Sequence, residues 1–302
     1  VLFCERQGHE VIGVDPIPRR DRSAPLKDSL CRLLGKDELW SFLETEEAKT
    51  KISWIIHMGA NSSTTETNWD FLKENNLEYT QKIWNWCVEN NKPLIYASSA
   101  ATYGAGEKGY DDKTAPSELK ALNLYGRSKL EFDQWALQQT KTPPHWYGLK
   151  FFNVYGPQET HKGAQGSVAM KAYHQILESG RLQLFKSDRP EYKDGEQKRD
   201  FIYVKDICHW MKELMDKTPA SGVYNMGTGQ ARSWVDLATA VFTALNKPVQ
   251  IDFIDMPSAL RGQYQYFTEA KMEKWLAQGL SAPRYSLEEG VKDYVQSFLM
   301  KN

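Results

Sequence analysis

Short apolar runs recur along the first half of this chain, and each stops at a small or polar residue before a helix-length stretch begins. Residues 10–14 end at Asp15, residues 53–58 at Gly59, and residues 93–97 at Ser98 and Ser99. Residues 146–154 run into Tyr155, Gly156 and Pro157. Between these runs, residues 69–90 and 124–139 read as helices. Strand-length runs alternating with helices predict parallel βαβ units, and so an α/β fold built on a doubly wound parallel sheet. Ligands of such sheets sit beyond the carboxyl ends of the strands. The residues placed there are Asp15, the Gly59-Ala60-Asn61-Ser62 turn, Ser98, Ser99 and Asn153.

The second half is less regular. Residues 189–199 are polar and charged and predict a surface loop, while 200–204, 223–226 and 249–254 predict strands. Ser233, with Asp236 three residues on, predicts a capping box that opens a helix to residue 245. Gly227-Thr228-Gly229 lacks the spacing of a phosphate loop and predicts a turn.

The net charge is −1 over 302 residues, so no whole-molecule field favours nucleic acid or an anionic membrane. An anionic substrate must be met by local Lys and Arg. The four cysteines form no CxxC pair, which predicts reduced thiols in a cytoplasmic protein and neither structural zinc nor a disulfide framework. No apolar run approaches the roughly 20 residues of a membrane helix.

Chemistry concentrates in Tyr125-Gly126-Arg127-Ser128-Lys129. Tyr125 and Lys129, four apart on a predicted helix, share one face. A cation beside a phenol lowers its pKa from about 10, and such a phenol can take a proton from a hydroxyl as hydride leaves the same carbon. Ser99, at a strand end, is placed to hydrogen-bond the reacting oxygen.

The order of these pieces resembles the extended short-chain dehydrogenase/reductase family. It runs Gly59-Ala60-Asn61-Ser62-Ser63, Ser98 to Gly104, Tyr125 to Lys129, Phe152-Asn153-Val154-Tyr155-Gly156-Pro157, Arg199-Asp200-Phe201 and Asn225 to Gly229. Ser62-Ser63-Thr64-Thr65-Glu66 and Gly156-Pro157-Gln158-Glu159-Thr160-His161-Lys162-Gly163 resemble those members that epimerise an ADP-heptose at C6″. The resemblance implies a Rossmann-like sheet with a smaller C-terminal α/β substrate domain. Residues 1–152 and 203–229 would form the dinucleotide-binding domain, and 153–202 and 230–302 the substrate domain. It implies NADP, with NAD as the other choice, an ADP-heptose substrate, a transient ketone, a part in lipopolysaccharide inner-core synthesis, and a homo-oligomer. Tyr125 and Lys162 would be the two proton donors, assisted by Lys129 and Ser99. Asp15, Gly59, Ala60, Asn61, Ser62, Asn75, Lys129 and Val154 would meet the cofactor. Asn153, Ser99, Lys171, Phe185, Asp188, Arg199 and Tyr264 would meet the substrate, Lys171 standing where the family places a histidine.

Two features stand apart from that pattern. The glycine-rich turn after the first strand is not in the sequence, which predicts an incomplete and poorly stable chain. Asp15 suits NAD, whereas Arg19 and Arg20 suit a 2′-phosphate. The competing readings are another nucleotide-sugar epimerase or dehydratase of the same fold, and a non-catalytic nucleotide-binding scaffold. Ala100 and Ala101 after Ser99 leave a dehydratase without its acid, and the Ser99, Tyr125 and Lys129 set argues against a scaffold.

Overall fold

The computed structural model describes residues 1–16, 29–258 and 264–301. A short helix, Leu2–Arg6, leads through Gly8 to β1 (Ile12–Asp15), which pairs in parallel with β2 (Arg32–Gly35). β3 (Ile55–His57), β4 (Leu94–Ser99) and β5 (Trp146–Phe151) follow. Then come β6 (Asn153–Tyr155), β7 (Leu182–Phe185), β8 (Lys198–Tyr203), β9 (Gly222–Met226), β10 (Ala231–Ser233) and β11 (Ile251–Ile254). β3, β4, β5 and β9 form a parallel sheet in that order. All of β9 and nearly all of β5 are buried, as strands covered on both faces must be. β6, β8 and β10 form a second sheet, and β7 pairs with β11.

The α/β class and the parallel register agree with the sequence reading; three boundaries do not. The expected strand 146–154 divides at Phe152, whose amide donates to the Met226 carbonyl at 3.1 Å. The next residues leave β9 and pair with β8 instead (Asn153 beside Phe201), so the chain changes sheets there. The expected loop to residue 199 stops early: Lys198 and Arg199 belong to β8, where Arg199 lies opposite Arg232 of β10. The expected helix 69–90 is α-helical over Trp69–Leu72 and Tyr79–Glu89, with a π-helical segment over Lys73–Glu78. The wider turn carries Asn76, whose buried side chain bonds a distant loop described below. The Ser233–Asp236 capping box is present and opens helix Trp234–Ala244.

Tyr147, Leu149, Ile202, Trp210 and Trp275 pack in one core, and Ala172, Val241, Phe242 and Val291 in another around the second sheet. Among the described residues no helix is long and apolar enough to cross a membrane.

Candidate active site

β4 ends at Ser99, which caps a short 3-10 turn, Ala100–Tyr103, by accepting from the Ala101 amide at 3.1 Å. The next helix, Leu124–Gln138, is opened by Asn123, whose side chain accepts from the Gly126 amide at 2.8 Å. A Cβ at Gly126 would lie 2.7 Å from the Ala101 carbonyl oxygen, so only glycine lets the helix press onto that turn. The close approach sets the Tyr125 hydroxyl beside Ser99, near enough for the Ser99 side chain to favour the phenolate. Ser99 Oγ already accepts from Ala101, so its own proton is free to be donated to the phenolic oxygen. Lys129, one helical turn on, is 4% exposed and donates to the Ala97 carbonyl at 2.8 Å. Burial brings its pKa down to about 8, partly countered by the charge of Asp133.

The phenol departs from the sequence expectation. Burial raises the Tyr125 pKa, and the Ser99 side chain offsets this only in part. Lys129 directs its ammonium at a backbone carbonyl rather than at the phenol. Tyr125 is therefore a protonated donor at rest.

The turn at the end of β3 exposes Gly59, Ala60 and Ser62. Asn61 is fixed there by Asn76: its amide donates to Asn76 Oδ1 at 2.8 Å and its carbonyl accepts from Asn76 Nδ2 at 2.9 Å. Asn76 also donates to Ser128 Oγ at 3.0 Å, joining this turn to the Tyr125 helix. The sequence reading named Asn75, whose side chain instead accepts from Lys36 at 2.7 Å, beside the end of β2. Asp15 ends β1, and its carbonyl accepts from the Lys36 amide. Arg19 and Arg20 lie outside the described residues. His57 is buried against Thr80 at 3.1 Å, and burial pushes its pKa down to about 3, with Lys129 adding to the effect.

A second group gathers around Arg199. This residue is 6% exposed, its guanidinium 4.8 Å from the Tyr264 ring centroid and 5.7 Å from that of Trp234. Trp234 Nε1 donates to the Tyr264 hydroxyl at 2.7 Å. The Asp188 amide donates to the Tyr266 hydroxyl, which itself donates to the Asp188 carboxylate. Phe185 ends β7 nearby in the chain. Gln265, next to Tyr264, donates to the Gly104 carbonyl, just past the Ser99 turn. Arg199, Tyr264 and the Ser99 turn thus border one region, with Asn153 and Val154 on β6 beside β8. The Gly227-Thr228-Gly229 turn wraps the Asp200 carboxylate, which accepts from the Thr228 and Gly229 amides at 2.6 and 2.9 Å.

Lys162 and Lys171 are not drawn in. Both are exposed, Lys162 on the 3-10 segment Thr160–Gln165 and Lys171 on helix Val168–Ser179. The loop of Lys162 is held at its ends by Glu159. That buried carboxylate accepts from the Gly156 amide at 3.4 Å and from the Ser167 amide and hydroxyl at 2.8 and 2.6 Å.

The chain is similar to known proteins over most of its length. A protein of Fusobacterium nucleatum named ADP-L-glycero-D-manno-heptose-6-epimerase is 48% identical, over 97% of this chain and 91% of its own. One of the same name from Nitratidesulfovibrio vulgaris is 50% identical over 81% of this chain and 76% of its own. Among solved structures, the Helicobacter pylori ADP-L-glycero-D-manno-heptose-6-epimerase superposes with a TM-score of 0.79 at 24% identity, covering 98% of this chain and 91% of that one. A Methanobrevibacter ruminantium UDP-N-acetylglucosamine 4-epimerase reaches 0.80 at 18% identity, covering 96% and 90%. At such identities the two structures speak for the fold. Residues 1–227 match the model of a single family, and with the relatives near half identity this makes the chain a member of the NAD-dependent epimerase/dehydratase family.

Proposed function

We propose that this chain inverts C6″ of ADP-D-glycero-D-manno-heptose, giving ADP-L-glycero-D-manno-heptose for lipopolysaccharide inner-core assembly. The observation that carries the reading is the Tyr125 phenol set beside Ser99 with Lys129 one helical turn away, in a chain whose relatives bear the name ADP-L-glycero-D-manno-heptose-6-epimerase. The same motifs support a division of labour, with 1–152 and 203–229 holding the dinucleotide and 153–202 and 230–302 the sugar nucleotide.

The residues at the strand ends fit a nicotinamide ribose. Lys129 has three N–H donors, and among the described residues only the Ala97 carbonyl takes one. Asn61 is held in the turn after β3 by Asn76. A bound nicotinamide supplies the hydride acceptor and donor. Tyr125, protonated at rest, sheds its proton to solvent, and the phenolate then takes the proton of the C6″ hydroxyl as hydride leaves that carbon. Ser99 stabilises the phenolate by donating to it, and the Lys129 ammonium favours the same charge from one turn along the helix. Lys162 is the second acid/base, giving a proton to the ketone oxygen on the other face as hydride returns, and exchange with solvent resets both groups. Arg199 meets the pyrophosphate: its guanidinium is walled by aromatic rings, and no carboxylate pairs with it among the described residues. Asp15, Gly59, Ala60, Ser62, Asn75 and Val154 complete the cofactor side. Asn153, Lys171, Phe185, Asp188 and Tyr264 complete the substrate side.

The finer cofactor choice is NADP, following the family resemblance, with Arg19 and Arg20 after Asp15 available to a 2′-phosphate; a clearly smaller Kd for NAD would overturn it. The setting is cytoplasmic, supported by four cysteines that are all free. The assembly is a homo-oligomer, and sedimentation as a single chain would refute that. The central test incubates the purified protein with ADP-D-glycero-β-D-manno-heptose and follows C6″ by proton NMR without added cofactor. Inversion is expected. No inversion, even with NADP⁺ and NAD⁺ supplied, would shift the reading to UDP- or GDP-sugars.

A further inference from the structure

Beneath Ser99 lies an ion pair that the mechanism above leaves unused. Asp133 and Lys150 are 0% and 2% exposed, with Lys150 Nζ 3.3 Å from Asp133 Oδ2. Asp133 stands on the Tyr125 helix, and Tyr125, Lys129 and Asp133 follow at four-residue spacing along one face. Lys150 is on β5, beside Ser98 of β4.

The pair grips the end of β4 on both sides of Ser99. On the near side, Ser98 Oγ donates to Asp133 Oδ2 at 2.7 Å and the Tyr96 hydroxyl donates to Oδ1 at 3.0 Å. On the far side, Lys150 Nζ donates to Thr102 Oγ1 at 2.8 Å, and that hydroxyl donates to the Ser99 carbonyl at 2.7 Å. The contacts close a ring: Asp133, Ser98, the Ser99 backbone, Thr102, Lys150 and back. A buried ion pair is poor value for stability alone, because desolvation can exceed the attraction. A ring that closes around one backbone position has a geometric use.

We propose that the Asp133–Lys150 pair is a positioning device for the reaction, fixing Ser99 against Tyr125 and presenting a counter-charge to Lys129. The proposal rests on the reading of Ser99, Tyr125 and Lys129 given above. Misplacing a reacting group by about 1 Å can cost on the order of 100-fold in rate, so the ring has leverage without touching substrate. The groups facing it are few. His57 of β3 and Tyr125 flank Lys129, and Tyr96, Tyr103, Asp112 and Lys274 face the pair. Of these charges, the one that supports the Lys129 cation is Asp133. Removing it lowers the pKa of Lys129, so the alkaline limb of activity must move to lower pH.

The test is the double variant Asp133→Asn/Lys150→Met, which removes both charges together. With the fold checked by circular dichroism, kcat is expected to fall at least tenfold, KM to stay within about twofold, and the alkaline limb of kcat to move down by about one pH unit. Independently of turnover, exchange of the Ala101 amide, which donates to Ser99, should speed at least tenfold. A folded double variant with parental kcat, limb and exchange would reduce the pair to a structural one and overturn the proposal. Should the double variant not fold, Thr102→Val cuts only the far thread; parental kcat and Ala101 exchange there would overturn it equally. Tyr125→Phe is run alongside: full turnover in that variant would sink the site reading itself, whereas loss there with parental Asp133→Asn/Lys150→Met would sink only this inference.

Discussion

The proposed mechanism gives two lysines a part, and their settings are opposite. Lys129 is 4% exposed on a fifteen-residue helix, bonded to a strand carbonyl, with a buried carboxylate one turn below. Lys162 is exposed on a six-residue 3-10 segment whose ends are tied by Glu159 and whose ammonium has no bonded partner among the described residues. The first is placed before any ligand arrives, and its placement is paid in desolvation. The second is exposed, and for it to act as proposed the loop must bring it to the sugar. A two-faced reaction can use both: a fixed centre where hydride moves, and an adjustable donor for the face that the turned ketone presents.

The largest expected effect strikes the fixed centre. Tyr125→Phe should lower kcat by about 10³-fold, within the range for loss of a general acid–base group, with little change in melting temperature. Turnover near the parental rate would break the comparison at its first member. Lys162→Met should follow, with kcat down by about 10²-fold and stability unchanged within about 0.5 kcal/mol, as for an exposed side chain. If kcat stays parental, Lys162 is a surface lysine and the second donor must be sought elsewhere.

The two lysines should also part in pH. Lys129 is a cation below about 8 and neutral above it, so kcat should fall as pH rises through that value. Its stability effect runs the other way. Its folded pKa is depressed below the ordinary 10.5, so between about 8 and 10.5 the unfolded chain holds a proton that the folded chain has shed. Stability from this group therefore rises with pH across that window. Lys129→Met should remove both trends while Lys162→Met removes neither; a Lys129→Met variant that keeps the alkaline limb would assign it to another group.

The same contrast explains what was legible in the sequence. Ser99, Tyr125 and Lys129 were readable because a strand end and a four-residue helical spacing fix them locally. The direction of the Tyr125 shift was not, because it depends on burial and on the Ala97 carbonyl, which no spacing reveals. The part of Asn76 in pinning Asn61 could not be read from the sequence. Asn75 and Asn76 are adjacent and identical in kind, and only the π-helical turn decides which faces Asn61. Asp133 and Lys150 are separated along the chain and meet only through packing. The sequence puts Arg199 at the edge of a loop, whereas it lies in a strand defined by partners on β6 and β10. The partner of the Gly227-Thr228-Gly229 turn, Asp200, is visible only in three dimensions.

The smallest effect, and the finest test of the comparison, lies in Glu159. Its two oxygens accept from the Gly156 amide and from both donors of Ser167, which closes the loop that carries Lys162. Glu159→Gln keeps the size but turns one acceptor into a donor facing donors. Such a loss should cost about 1–3 kcal/mol of stability, read as a lower melting temperature. If the loop delivers Lys162, kcat should also fall, by roughly threefold to tenfold, less than for Lys162→Met because the lysine is still present and reaches its position part of the time. The alkaline limb set by Lys129 should not move, since Glu159 is not among the groups that act on it. A melting temperature that drops with kcat unchanged would mean the substrate orders the loop without Glu159. A displaced alkaline limb would mean the two lysines are coupled, and the division between a fixed centre and an adjustable one would have to be given up.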